Sequence, residues 1–206
     1  MAQELGKPNQ RRKFMLEAAL VDHCSPTLAG IKTGNLFLFR SEGDDYIAEI
    51  RKLNRMLVKR GLRIIPVKRD DRKILIYVYR PERLQRDLTL PEAEAILREK
   101  GYPTRYPQQC VSCLIRHLTS DVEFPHEIGL FLGYPPSDVR CFMKDSREGV
   151  LCVGCWKAYG NVEEAEKTFE QFRKCTAIYR NLMKKGRPLE QLIVQDRKQQ
   201  GSELEP

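Results

Sequence analysis

No stretch of this chain stays apolar for long. The longest such run, Ile74 to Tyr79, is far too short to cross a bilayer, and the polar start from Met1 to Arg12 lacks the apolar core of an export signal. A membrane or secreted protein is therefore not expected, and the predicted location is the cytoplasm. Internal repeats and Pro/Gly/Ser-rich linkers are missing too, which excludes a solenoid and favours one core over two. The seven cysteines are an odd number in a chain without an export signal, so reduced thiols are expected rather than a disulfide framework.

What is present describes a folded globule. With 206 residues the chain can bury a sizeable core without metal or disulfide, and a 41% apolar fraction beside 31% charged residues separates it from disordered sequences. The net charge of +8 is local: Arg51 to Lys73 holds ten basic residues against two acidic ones. Such a cluster either attracts an acidic protein, nucleic acid or anionic lipid, or forms a solvated helix face and hairpin turn.

Periodicity places the elements. Asn35 to Phe39 reads as a strand, Asp44 to Arg60 as an amphipathic helix closed by Gly61, and Leu62 to Val67 with Ile74 to Tyr79 as a hairpin. Thr89 and Glu92 form a capping-box pattern before a helix that runs to about Lys100. Three short helices follow over Pro107 to Leu118, Pro125 to Leu132 and Ser137 to Asp145, then a strand from Val150 to Tyr159. Asn161 caps a long helix, and Leu189 to Val194 forms one further turn. The order predicts an α+β fold: a small, mostly antiparallel sheet of about four strands covered by helices, with a long C-terminal helix, in a single domain over residues 14–194 flanked by tails 1–13 and 195–206.

Candidate chemistry gathers in a few places. Asp22 to Asn35 holds His23 and Cys24, a pair in which a thiolate can serve as nucleophile or metal ligand, together with Lys32, Thr33 and Asn35, which can bind an anion. The plainer reading makes Ser25-Pro26-Thr27 a helix cap and Cys24 a small core residue, and the glycine spacing does not match a phosphate-binding loop. His126 and Glu127 fall at the start of a short helix, where they bind a ligand or merely cap it, whereas His117 on an amphipathic helix reads as structural. Two CxxC pairs, Cys110/Cys113 and Cys152/Cys155, raise a shared zinc site, but one pair reads as helical and the other straddles a strand. The helices from Pro125 to Asp145 make a poor helix-turn-helix, so nucleic acid is the less favoured partner.

Four separated segments carry a resemblance: Cys24-Ser-Pro-Thr-Leu-Ala-Gly-Ile-Lys-Thr-Gly-Asn-Leu-Phe37, Leu75-Ile-Tyr-Val-Tyr-Arg-Pro81, Phe124-Pro-His-Glu-Ile-Gly-Leu-Phe-Leu-Gly-Tyr-Pro135 and Trp156-Lys-Ala-Tyr-Gly160. Over about residues 14 to 190 the chain resembles a domain-of-unknown-function family of anaerobic gut and soil Firmicutes. The resemblance implies no reaction; its association with flavodoxin and iron-uptake genes implies an accessory role in iron or redox metabolism. Family members commonly carry Tyr before the Trp of the last motif, where this chain has Cys155, so a shared zinc site is not implied family-wide.

Three functional readings follow. The first is an accessory protein of iron or redox metabolism that binds a metal, a haem or a flavoprotein partner through His23, Cys24 and His126, with Trp156 lining the same pocket. The second is a non-catalytic adaptor whose basic face docks an acidic redox protein such as a flavodoxin, or nucleic acid. The third is a Cys-His enzyme with Cys24 as nucleophile and His126 as base.

Overall fold

The computed structural model describes residues 8–40, 46–70, 72–120 and 123–195. Three antiparallel strands form the sheet: β1 (Gly34–Arg40), β2 (Arg63–Arg69) and β3 (Lys73–Tyr79), in the order β1-β3-β2. The apolar run Ile74 to Tyr79 is the central strand, and its lack of alternation has a direct cause. Ile74, Ile76 and Val78 enter the core on one face while Tyr77 and Tyr79 enter a second core on the other. β2 is an edge strand, which tolerates Pro66 without an N–H, and its register slips between Pro66 and Lys68.

The first face is covered by α1 (Pro8–Leu28), α2 (Ile47–Val58), α8 (Val162–Lys184) and the short α9 (Leu189–Leu192). Leu16, Leu20, Val21, Cys24 and Leu28 recur at helical spacing and are all buried there. α1 thus runs back through the expected N-terminal tail as far as Pro8, and forward through Ser25 and Pro26 rather than being capped by them. Proline removes one ladder bond, and the Ser25 hydroxyl donates to the Val21 carbonyl at 2.5 Å in that turn. Residues 1–7 and 196–206 lie outside the described residues.

The second face carries α3 (Pro81–Leu88), α4 (Pro91–Glu99), α5 (Pro107–Thr119), α6 (Ile128–Phe131) and α7 (Pro136–Lys144). Pro81 ends the strand, yet it also occupies the first turn of α3, where its missing N–H costs nothing. Thr89 closes α3, its hydroxyl donating to the Arg86 carbonyl at 2.9 Å, so no capping box forms; Pro91 opens α4 instead. The expected strand over Val150 to Tyr159 is a tight hairpin apart from the main sheet, β4 (Cys152–Val153) against β5 (Lys157–Ala158). Asn161 caps α8 as expected, accepting from the Glu164 N–H at 3.1 Å.

One buried cation joins the layers. Arg80, fully buried at the end of β3, donates from Nε to the Thr27 carbonyl at 2.7 Å and from one terminal nitrogen to the carbonyls of Leu28 and Val194 at 2.8 and 2.7 Å. These include last-turn carbonyls that α1 cannot satisfy itself, so the guanidinium closes that helix and pins the chain after α9 against it.

Candidate functional site

At the sheet end where Gly34 faces Tyr79, three of the sequence motifs meet around a cleft of about 480 Å³. The segment after α1 contributes Lys32 and Thr33; α3 contributes Arg83 and Asp87; the turn after α6 and the start of α7 contribute Gly133 to Ser137; Trp156 comes from the hairpin, and Glu164, Thr168 and Gln171 from α8. Close approach builds it. A Cβ on Gly34 would collide with the Phe131 carbonyl, and one on Gly133, whose φ is +77°, would collide with Thr33. These two glycines let the turn lie directly over the start of β1.

Lys32 forms the base. It is only 6% exposed, its Nζ donates to the Gly34 carbonyl at 2.7 Å and to Asn35 Oδ1 at 2.9 Å, and it sits 5.2 Å from the centre of the Tyr134 ring. Among the described residues no carboxylate pairs with it, since both acceptors are neutral. Burial lowers its pKa to about 8, opposed weakly by the thiols of Cys24 and Cys155. Beside it the Thr33 hydroxyl donates to Asp87, whose carboxyl is raised by burial, and Arg83 donates to the Gly30 carbonyl at 2.6 Å.

The wall is aromatic. Trp156 stacks on Tyr134 at 5.1 Å and meets Phe169 edge-on at 4.5 Å. Asp138, buried in α7, fixes it: Oδ2 accepts the indole N–H at 2.8 Å and Oδ1 accepts the Tyr159 backbone N–H at 2.9 Å. The Tyr134 hydroxyl donates to the Cys155 carbonyl at 2.9 Å. Gly154 has no room for a side chain, because an added Cβ would overlap the Phe169 ring.

The remaining candidates are placed elsewhere. His23 is exposed and stacks on Phe37 at 4.8 Å, while its neighbour Cys24 is fully buried in the first core. Burial pushes the Cys24 thiol up to about 12, opposed by Lys32 and Asn35, so it stays protonated at neutral pH. Asn35, rather than lining the cleft, braces its base: Oδ1 receives Lys32 and Nδ2 donates to the His23 carbonyl at 2.5 Å. His126 is exposed beyond the far side of Trp156, against Phe124 and Phe142, in a smaller cleft of about 180 Å³ that Trp156 and Tyr134 also border. The structure therefore does not pair Cys24 with His126. Glu127 turns inward, its Oε1 accepting the Tyr102 hydroxyl at 2.8 Å.

The two CxxC pairs remain apart. Cys110 and Cys113 are buried on α5, whereas Cys152 lies 4.0 Å from Glu166 and Cys155 is exposed near Lys32; all four are free thiols. Among the described residues no group of three or more His, Cys, Asp or Glu side chains is arranged to hold a metal ion. Sequence reasoning missed Asp87, Asp138 and Tyr134. Of these only Tyr134 carried a signal, as part of the Phe124 to Pro135 motif.

Fold and cleft together define a class: an α+β protein whose three-stranded antiparallel sheet, wrapped by helices on both faces, ends in a polar cleft with a buried lysine beneath an aromatic wall. Within that class the chain belongs to the family described as protein of unknown function DUF3793, which residues 20–193 match. It matches no curated protein and no solved structure. No helix among the described residues is long and apolar enough to cross a membrane.

Proposed function

We propose that this protein binds a small organic anion with a flat apolar part, its acidic group at Lys32 and its flat part against Tyr134 and Trp156. The observation that carries this reading is Lys32 itself: a buried ammonium at the base of an open cleft with only neutral acceptors, which an anion entering the cleft would neutralise. Of the carboxylates in the lining, Asp87 accepts from Thr33 and Asp138 from Trp156 and Tyr159, so Lys32 and the aromatic wall are what the cleft offers an anion as charge and stacking. A phosphorylated flavin is the member of this class that would connect the cleft to redox metabolism, and an aromatic carboxylic acid is the simplest member.

The test is a thermal-shift screen with flavin mononucleotide, aromatic carboxylates and inorganic phosphate. A ligand at a hundred times its Kd stabilises the folded state by about 2.7 kcal/mol, so at least one aromatic anion raises the Tm of the protein and leaves Lys32→Met unchanged. Equal shifts in both proteins, or none in either, would overturn the proposal.

A second reading concerns the basic face. Arg51, Lys52, Arg55 and Lys59 on α2 and Lys68, Arg69, Arg72 and Lys73 around the β2–β3 turn are all exposed. That surface suits an acidic protein partner such as a flavodoxin.

A further inference from the structure

A second set of reactive groups lies on α5, unused by the cleft. Cys113 and His117 are one helical turn apart, with Sγ 3.7 Å from Nε2. Across the ring, Nδ1 lies 3.1 Å from the Tyr102 hydroxyl oxygen and 3.4 Å from Glu127 Oε1. Counting protons fixes the tautomer. Tyr102 has a single hydroxyl hydrogen and gives it to Glu127, and a carboxylate only accepts, so Nδ1 must be the donor. Nε2 then presents its lone pair to the Cys113 thiol. The order is nucleophile, base and orienting carboxylate. Burial and the neighbouring Glu127 hold the Tyr102 phenol well above its ordinary pKa, which keeps its hydrogen in place.

Access limits what can react. Cys113 is 3% exposed, but the His117 side chain is 38% exposed, and with Glu127 and His126 it lines a cleft of about 270 Å³. The Cys113 sulfur does not itself line that cleft and lies 3.7 Å from the imidazole that does, so the reaction requires a small electrophile. A second thiol is at hand: Cys110 is buried three residues earlier on the same helix, where Cα atoms lie on the order of 5 Å apart, within the span a disulfide bridges.

We propose that Cys113 is a peroxide-reactive thiol, activated by His117 and Glu127, and that Cys110 resolves it as an intrahelical disulfide. His117 Nε2 takes the thiol proton, and the sulfur attacks one oxygen of a hydroperoxide. An S–O bond forms as the O–O bond breaks, and the departing oxygen takes the proton from His117, leaving a sulfenic acid and an alcohol, or water from hydrogen peroxide. The Cys110 sulfur then attacks the sulfenic sulfur. An S–S bond forms, and the hydroxyl leaves as water with the Cys110 proton. Two thiols lose two electrons and the peroxide gains them.

The test treats the reduced full-length chain with hydrogen peroxide and follows the tryptic peptide Tyr106–Arg116, which contains both cysteines, by mass spectrometry. The expected product is about 2 Da lighter, as a disulfide requires. Cys110→Ser instead accumulates a dimedone adduct on Cys113. His117→Asn and Glu127→Gln each slow oxidation of Cys113 by about tenfold or more, as loss of an activating base does, while exposed Cys141 reacts at an unchanged rate. Glu127→Gln keeps an acceptor for Tyr102, so it separates activation from folding, which circular dichroism checks. The proposal is overturned by oxidation of Cys113 no faster than that of half-buried Cys175, or by oxidation at the wild-type rate in both substituted chains.

Discussion

Replacing Lys32 by methionine removes a charge but retains most of the volume, and its effect on stability is predicted to depend on pH in a calculable way. Burial lowers the lysine pKa from 10.5 to about 8 in the folded chain. Between those values the unfolded chain binds more protons, so stability rises with pH. Below pH 8 the penalty for holding the charge is fully present, roughly 3 kcal/mol, and above pH 10.5 it is gone. Between pH 7.5 and 9.5 the wild-type chain should therefore gain roughly 2 kcal/mol relative to Lys32→Met. Cys24 titrates in the opposite sense from 9.0 up to about 12, but it does so in both proteins and largely cancels in the difference. Near neutral pH the two stabilities should lie close together, since the relieved penalty is offset by the unmet acceptors on Gly34 and Asn35, at about 1 kcal/mol or more each. Urea unfolding at the two pH values measures the difference directly. Parallel pH dependences would refute the reasoning, because they would mean that Lys32 is not held in a charge-disfavouring site.

Further predictions concern the scaffold and the basic face. Arg80→Lys keeps a charge but cannot reproduce the fork that serves Thr27, Leu28 and Val194, and should cost about 3 kcal/mol in urea unfolding. Gly154→Ala forces the hairpin away from Phe169, costing about 1–3 kcal/mol; because Trp156 is the only tryptophan in the chain, its emission should shift to the red. A complex formed through the exposed basic residues of α2 and the β2–β3 turn should weaken steeply between low salt and physiological salt in a binding titration.

Much of the scaffold was legible because its signals are local. The central strand declared itself as an unbroken apolar run, and α8 by a cap and an apolar stripe. Where one residue served two roles, the reading was incomplete. Pro81 both ends β3 and opens α3, and Pro26, which suggested a boundary, lies inside α1 although Leu16, Leu20, Cys24 and Leu28 continue the helical period. The ten-residue strand expected from Val150 dissolved into a hairpin because Gly154 marks a close approach to Phe169. The cleft was only partly visible. Lys32 and Trp156 stood in recognisable motifs, but Asp87 and Asp138 matter through contacts between elements distant in sequence. The Cys113/His117 spacing was readable as one turn of a helix, whereas the orienting Glu127 and Tyr102 come from loops that no periodicity connects to α5.

Trp156 in the wall of the cleft gives the most direct test of the central claim, that Lys32 anchors an anion beneath an aromatic wall. Its emission is recorded while flavin mononucleotide or an aromatic carboxylate is titrated at pH 7 and at pH 9.5, into the protein and into Lys32→Met. The account predicts saturable quenching at pH 7 that weakens by roughly tenfold or more at pH 9.5, as Lys32 loses its proton, and is absent in Lys32→Met. Saturable quenching of the same strength in both proteins, or at both pH values, would contradict it.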